Sequence, residues 1–213
     1  MNSAIILCGG YSRRLGRDKC QIKLGDQTLI GHVLNAVCET VETVVAVGRQ
    51  SQNIGEVIPP EFREKIKFIC DARKDCGPLE GLRAGLSAIL DSHQAAFVCG
   101  CDFPLITPAF IEFLLREAEG FQAAVPWIDD KLLPLPAVYR VDALQKIESS
   151  LEADQRSLWR MVERLEAHRL TREKIEAIDP GLECLINVND ESTLETVTAI
   201  WSQRAPQSSD TSL

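Results

Sequence analysis

The sequence is short of everything that would place the chain in or across a membrane. No apolar run among its 213 residues approaches the ~20 that a spanning helix requires. Met1-Asn2-Ser3 leads straight into a strand-like run, without the basic region and apolar core of a secretory leader, so a cytoplasmic protein is expected. Positive charge is in deficit too. The 23 basic and 31 acidic residues leave a formal charge of −8, which argues against nucleic-acid and membrane-surface partners. Metal-binding Cys-x-x-Cys pairs are missing from the eight cysteines (8, 20, 38, 70, 76, 99, 101 and 184), and Cys99-Gly-Cys101 alone is a poor tetrahedral site. Disulfides are disfavoured in a reducing compartment. Structural thiols are therefore expected, with Cys70 and Cys99 acting as small hydrophobes in apolar strand-like runs. There is no internal repeat. What remains, 45% hydrophobic and 25% charged residues, is ordinary globular composition. The length fits one large domain, expected over residues 1–204, before a Ser/Asp/Pro tail, 205–213, expected to be disordered.

Two familiar phosphate-binding signatures are absent as well. The P-loop needs Gly, four residues and then Gly-Lys-Ser/Thr, but Gly16 is followed by Arg17-Asp18-Lys19-Cys20. The dinucleotide fingerprint G-x-G-x-x-G fails because Gly9 and Gly10 are adjacent and the next glycine is Gly16. A different arrangement is present. The apolar run Ala4–Leu7 breaks into a loop holding Gly9, Gly10 and Gly16 together with Arg13, Arg14, Arg17 and Lys19. Glycines let successive backbone N–H groups turn toward a ligand, and cations beside them neutralise phosphate. Against an acidic background, this basic loop reads as a cradle for a small phosphorylated ligand. A surface loop of solvated charges is the plain alternative.

Downstream, apolar runs alternate with helical spacing. Thr28 precedes an i, i+1, i+4, i+5, i+8 apolar set, Leu29, Ile30, Val33, Leu34 and Val37, which predicts an amphipathic helix after a hairpin-like turn at Gly25-Asp26. Thr43–Val47, Ile66–Cys70 and Ala95–Cys99 predict buried parallel strands, with helices opening at Gly77 and at Thr107-Pro108. Further strands are expected at Ala123–Pro126 and Pro136–Tyr139, separated by a loop at Asp129-Asp130-Lys131. Helices are expected over Val141–Leu151, Ser157–Leu165 and from Asp190 to about Gln203, with a short strand within His168–Ile178. Such alternation implies βαβ units, hence a three-layer α/β/α architecture around a mostly parallel sheet. Ligands bind such sheets beyond the C-terminal ends of the strands. Three chemistry-bearing residues or loops fall at those ends: the basic loop after Leu7, Asp71 and Asp102.

The residues Leu7-Cys-Gly-Gly-x-Ser-x-Arg-x-Gly-x-Asp-Lys19 resemble the opening signature of the nucleotidyltransferases that act on the molybdenum cofactor, most closely the molybdenum cofactor guanylyltransferase family. Gly77-Pro-Leu-x-Gly-Leu82, Cys101-Asp-x-Pro104 and Asn187-Val-Asn189 extend the resemblance over roughly residues 4 to 200. It implies a Rossmann-like fold of the nucleotide-diphospho-sugar transferase type and Mg²⁺-dependent transfer of GMP from GTP to molybdopterin, with pyrophosphate released. It also implies transient contacts with cofactor-biosynthesis proteins and with recipient molybdoenzymes.

The resemblance assigns roles residue by residue. Asp102 becomes the Mg²⁺ ligand. Lys19 contacts the triphosphate, and Arg13 helps to neutralise it. Leu7, Cys8, Gly9 and Gly10 supply backbone contacts to the nucleotide, with Asp71 and Gly77 beside them. Arg156, Asn187 and Asn189 face the acceptor. One departure stands out: where the family commonly offers the nucleotide an asparagine after the second strand, this chain has Ala46-Val47-Gly48. A cytidylyltransferase acting on the same or another phosphate acceptor is the near alternative, although Cys8-Gly9-Gly10 differs from the Ala-Ala-Gly of that branch. A non-catalytic nucleotide-binding protein of the same fold is the alternative from another class.

Overall fold

Apolar runs separated by amphipathic helices can pair in parallel only through crossovers, and the computed structural model of the chain is built that way. It describes residues 2–9, 11–12, 17–49, 55, 58–70, 77–90 and 94–204. β1 (Ser3–Leu7) lies inside the sheet. β2 (Thr43–Gly48) runs parallel to it on one side, β3 (Ile66–Cys70) parallel beyond β2, and β4 (Ala95–Gly100) parallel to β1 on the other side. β5 (Ala123–Ile128), β6 (Lys131–Leu132), β7 (Ala137–Arg140) and β8 (Ala167–Thr171) complete a mixed eight-stranded sheet. β7 is antiparallel to both β4 and β5 and lies between them. β8 pairs in parallel with β5.

The sheet is mostly parallel, as expected, and one of its reversals has a local cause. Asp129 and Asp130 both take positive φ, 49° and 58°, which is the backbone of a tight two-residue turn, so the chain doubles back from β5 into β6. One expectation is corrected at the opposite edge. Cys70 is exposed rather than buried, because β3 is the edge strand and carries exposed Phe68 as well.

Helices cover both faces. α1 (Leu29–Thr40) starts where the Thr28 hydroxyl accepts the Gly31 N–H at 3.2 Å. α2 (Gly77–Ile89) opens on a residue with φ +68°, which is why glycine stands there. α3 (Pro108–Glu117) has the expected Thr107 cap and proline start. α4 (Leu144–Glu152) follows a 3₁₀ turn at Val141–Ala143, α5 (Leu158–Glu163) is capped by Ser157, and the short α6 (Arg172–Glu176) follows β8. α7 (Glu191–Arg204) ends the described chain.

Alternation along β1 separates two cores. Ala4 and Ile6 pack with α1 and α3, whereas Ile5 packs with α2 and α4. A Cβ at Gly85 would stand 2.5 Å from the Ile5 side chain, so α2 lies close on the sheet only because that position is glycine. A third, smaller core joins Ile22, Leu24 and Leu29 to Leu105, Val188 and Val197, and this anchors α7 against the start of the chain.

Candidate active site

Strand order reverses around β1: the chain leaves it for β2 on one side, while β4 enters on the other. At such a switch point the two loops leaving neighbouring strands part, and a crevice opens beyond their C-terminal ends. Leu7 pairs with Val47 on one side and Gly100 on the other. The loops stay on the sheet for one residue more: Cys8 N–H donates to Val47 O at 2.7 Å and Cys101 N–H to Leu7 O at 3.2 Å. That narrows what was expected of Cys8. Its amide is spent on the sheet and its side chain is buried, so Gly9 is the first residue beyond the paired strands.

Asp102 and Lys19, 83 positions apart, meet at the switch point. The Lys19 ammonium lies 2.6 Å from Asp102 Oδ2, and it donates to Asn189 Oδ1, also at 2.6 Å. The paired side chains are only 12% and 13% exposed. Each is held by its backbone. Asp18 caps a 3₁₀ turn at Lys19–Gln21 by accepting the Cys20 N–H at 3.0 Å. Gly100 makes room for the carboxylate, since a Cβ there would collide with Asp102 Oδ1. Val188 is fully buried and donates its N–H to Asp102 O at 2.9 Å. The Asn189 N–H donates to Thr193 Oγ1 at 3.0 Å, while the Asp190 carboxylate accepts the Thr193 N–H at 2.9 Å to cap α7. Asn189, expected to face the acceptor, lies against the Lys19 ammonium, whereas Asn187 does not share that contact.

A cavity of about 340 Å³ borders Asp102, walled by Pro78, Phe103, Leu133 and Leu158, with Asn187 as a polar group. Mostly apolar walls with a few polar groups suit a small organic ligand. Gly77 and Arg156 lie near this rim: the Arg156 carbonyl oxygen is 4.0 Å from where a Gly77 Cβ would stand, and the Arg156 guanidinium pairs with Asp154 at 2.7 Å. Asp102, Lys19, Asn187 and Asn189 are therefore brought together, with Leu7, Cys8, Gly9, Gly77 and Arg156 around them. Gly10, Arg13 and Asp71 lie outside the described residues. The wall segment Leu132–Leu135 escaped the sequence reading. The apolar, proline-spaced run Leu132-Leu-Pro-Leu-Pro136, too irregular for a strand, was the available signal.

Buried thiols underlie the site. Cys8, Cys20 and Cys101 hydrogen-bond among themselves. The bond with Cys101 and then burial hold the Cys8 thiol well above its ordinary value. Burial likewise pushes Cys99 up, and lifts Cys184 to about 12. Thiols that stay protonated pack as small hydrophobes.

Among the described residues, no group of three or more His, Cys, Asp or Glu side chains is placed to hold a metal by itself. Mg²⁺ does not need one, because it commonly takes one or two carboxylates and completes its shell with phosphate oxygens and water. Asp102, largely buried and already in contact with a cationic group, fits that ligand role.

Comparison with known proteins agrees with this geometry. Residues 4–170 match the family model described as a MobA-like NTP transferase domain. A protein of Methanosarcina mazei named a probable molybdenum cofactor guanylyltransferase is 32% identical over 202 residues, covering 92% of this chain and 89% of its own length. A protein of the same name from Methanosarcina acetivorans is 32% identical over 203 residues, with the same shares. The crystal structure of molybdopterin-guanine dinucleotide biosynthesis protein A from Archaeoglobus fulgidus superposes with a TM-score of 0.80 at 27% identity, covering 95% of this chain and 100% of that one. The mixed, mostly parallel sheet described above is the fold they share, and the chain belongs to the MobA-like NTP transferase family.

Proposed function

We propose that the chain transfers GMP from GTP to molybdenum-bound molybdopterin, forming the guanine dinucleotide and releasing pyrophosphate. The names of its relatives support this acceptor and this base. The observation that carries it is the junction of Lys19, Asp102 and Asn189 at the switch point, beside a 340 Å³ cavity lined by Asp102 and Asn187. An acceptor phosphate oxygen attacks the α-phosphorus of GTP while the bond to pyrophosphate breaks. At neutral pH that oxygen is already ionised, so a general base is not required. The protein's tasks are alignment and charge neutralisation. Lys19 binds triphosphate oxygens, with Arg13 assigned beside it. Gly9 and Gly10 are assigned backbone contacts to the nucleotide, with Leu7 and Cys8 holding them at the strand end, and Asp71 and Gly77 contacts to the nucleoside. Asp102 would hold Mg²⁺, which supplies positive charge between the approaching phosphates. Asn187, with Arg156 at the rim, faces the acceptor across the cavity. The setting is the cytoplasm, where the product passes to recipient molybdoenzymes.

The test is mass spectrometry of the product formed from molybdenum-loaded molybdopterin with GTP and with CTP, alongside pyrophosphate release. The expected outcome is a guanine dinucleotide, with release lost in Asp102→Ala. A cytosine dinucleotide as the main product would replace the base assignment, and undiminished release in Asp102→Ala would remove the metal assignment.

A further inference from the structure

We propose that Lys19 is the resident counter-ion of Asp102, keeping divalent cations off that carboxylate until a triphosphate arrives, and that Asn189 is the positioning residue that retains Lys19 once Asp102 is released. This rests on Asp102 being the metal ligand. The physical conflict is plain in the geometry. The ammonium is 2.6 Å from Asp102 Oδ2, inside a largely buried pair. A carboxylate withdrawn from water needs a compensating charge, and here it has one without metal. A divalent ion bound to the same carboxylate would lie within a few ångströms of the ammonium, and in a partly desolvated site that repulsion is weakly screened. Metal and Lys19 therefore exclude one another at Asp102. A bound triphosphate resolves the exclusion because it carries oxygens for both cations.

Asn189 gives the exchange its geometry. Its Oδ1 accepts from the same ammonium at 2.6 Å, and its backbone is tied through Thr193 to the start of α7. When Asp102 turns to the metal, Lys19 keeps this second, uncharged acceptor. The ammonium then pivots instead of swinging into solvent. The consequence is an order of binding: the nucleotide brings the metal, and the empty site takes up little metal alone.

Mn²⁺ binding followed by electron paramagnetic resonance, without nucleotide and then with a non-hydrolysable GTP analogue, tests this directly. Lys19→Gln is expected to bind nucleotide-free Mn²⁺ at least about tenfold more tightly than the wild type, the scale of losing one charged hydrogen-bonding partner. Lys19→Arg, which retains the charge, is expected to stay as weak as the wild type and guards against a mere folding defect. Asn189→Ala is expected to weaken binding of the GTP analogue severalfold. Introduced into Lys19→Gln, it should leave nucleotide-free Mn²⁺ affinity unchanged, which a distortion of Asp102 through Val188 would not. Equal Mn²⁺ affinity in wild type and Lys19→Gln, or equal tightening in Lys19→Arg, overturns the proposal. Full nucleotide-supported Mn²⁺ binding in Asp102→Asn would instead remove the metal-ligand reading beneath it.

Discussion

Gly100→Ala isolates the position of one carboxylate from the stability of the fold. Gly100 closes β4, and its missing Cβ is what lets Asp102 Oδ1 sit over the strand end. The next nearest atoms to a methyl group added at this position, Asp102 Cγ at 3.3 Å and Phe103 Cε2 at 3.5 Å, are at tolerable distances, so the clash is confined to a side-chain tip. Restoring van der Waals separation moves that oxygen by roughly 1 Å. The backbone is not forced to yield, so the stability cost should stay near 1 kcal/mol, or about 2–4 °C in Tm for a chain of this size. Function is more sensitive. A retreat of that size breaks the 2.6 Å contact with Lys19 and misplaces the proposed metal ligand. A misplacement of about 1 Å can lower a rate by about 100-fold. The assay is kcat/KM for pyrophosphate release with GTP and acceptor, read beside thermal unfolding. A variant that keeps kcat/KM within about threefold of wild type would refute the reasoning, because catalysis would then not depend on where this carboxylate sits.

Two other perturbations act away from the chemistry. Gly25 takes φ +64°, and a Cβ there would run into the Trp201 ring, so Gly25→Ala combines backbone strain with displacement of α7. A loss of about 2 kcal/mol, or about 4–8 °C in Tm, is expected by calorimetry, and an unchanged Tm would count against α7 being anchored through this contact. The Glu117 carboxylate is held below its ordinary value of 4.5, first by the hydrogen bond from Lys174 at 2.9 Å and further by the charges of Lys174, His168 and Arg116. Its folded-state pKa is the depressed one, so its stabilising effect is present above the unfolded value and disappears as pH falls through the folded value. Wild type should therefore be more stable than Glu117→Gln at pH 7. The gap in Tm should close as pH drops below 4.5, and a gap constant with pH would contradict the ion pair.

The parallel half of the fold was readable because each signal there is short-ranged. Runs such as Thr43–Val47 and Ala95–Cys99 are apolar on both faces, as only interior strands can be, and Thr28, Thr107 and Ser157 cap the helices they precede. The exposed Cys70 defeated that rule, and the one local mark of an edge strand in Ile66–Cys70 is its exposed Lys67. The place of β7 was equally hidden. Its insertion between β4 and β5 is a long-range pairing, and only the two aspartates of the preceding turn hint at a reversal. In the site, Asp102 and Lys19 were legible because each follows a strand that announces itself. The partnership of Lys19 with Asn189, 170 positions on, depends on the packing of α7 and has no local signature.

That packing also explains how one tripeptide near the end of the described chain reaches both the Lys19 ammonium and the apolar cavity. Asn187-Val188-Asn189 crosses Asp102 with Val188 buried beneath and its N–H bonded to the Asp102 carbonyl. Val188 is buried, while the asparagines on either side of it stay partly exposed. They stand on either side of Val188, Asn187 at the apolar cavity and Asn189 at the Lys19 ammonium. Under the proposed function, group transfer between two phosphates needs donor and acceptor on either side of one charge-neutralising centre, and this segment touches both the cavity and the ammonium. Its register follows from Val188: a slip of one residue would bury an asparagine and expose the valine, so the small core around Val188 and Val197 holds both halves of the site in step.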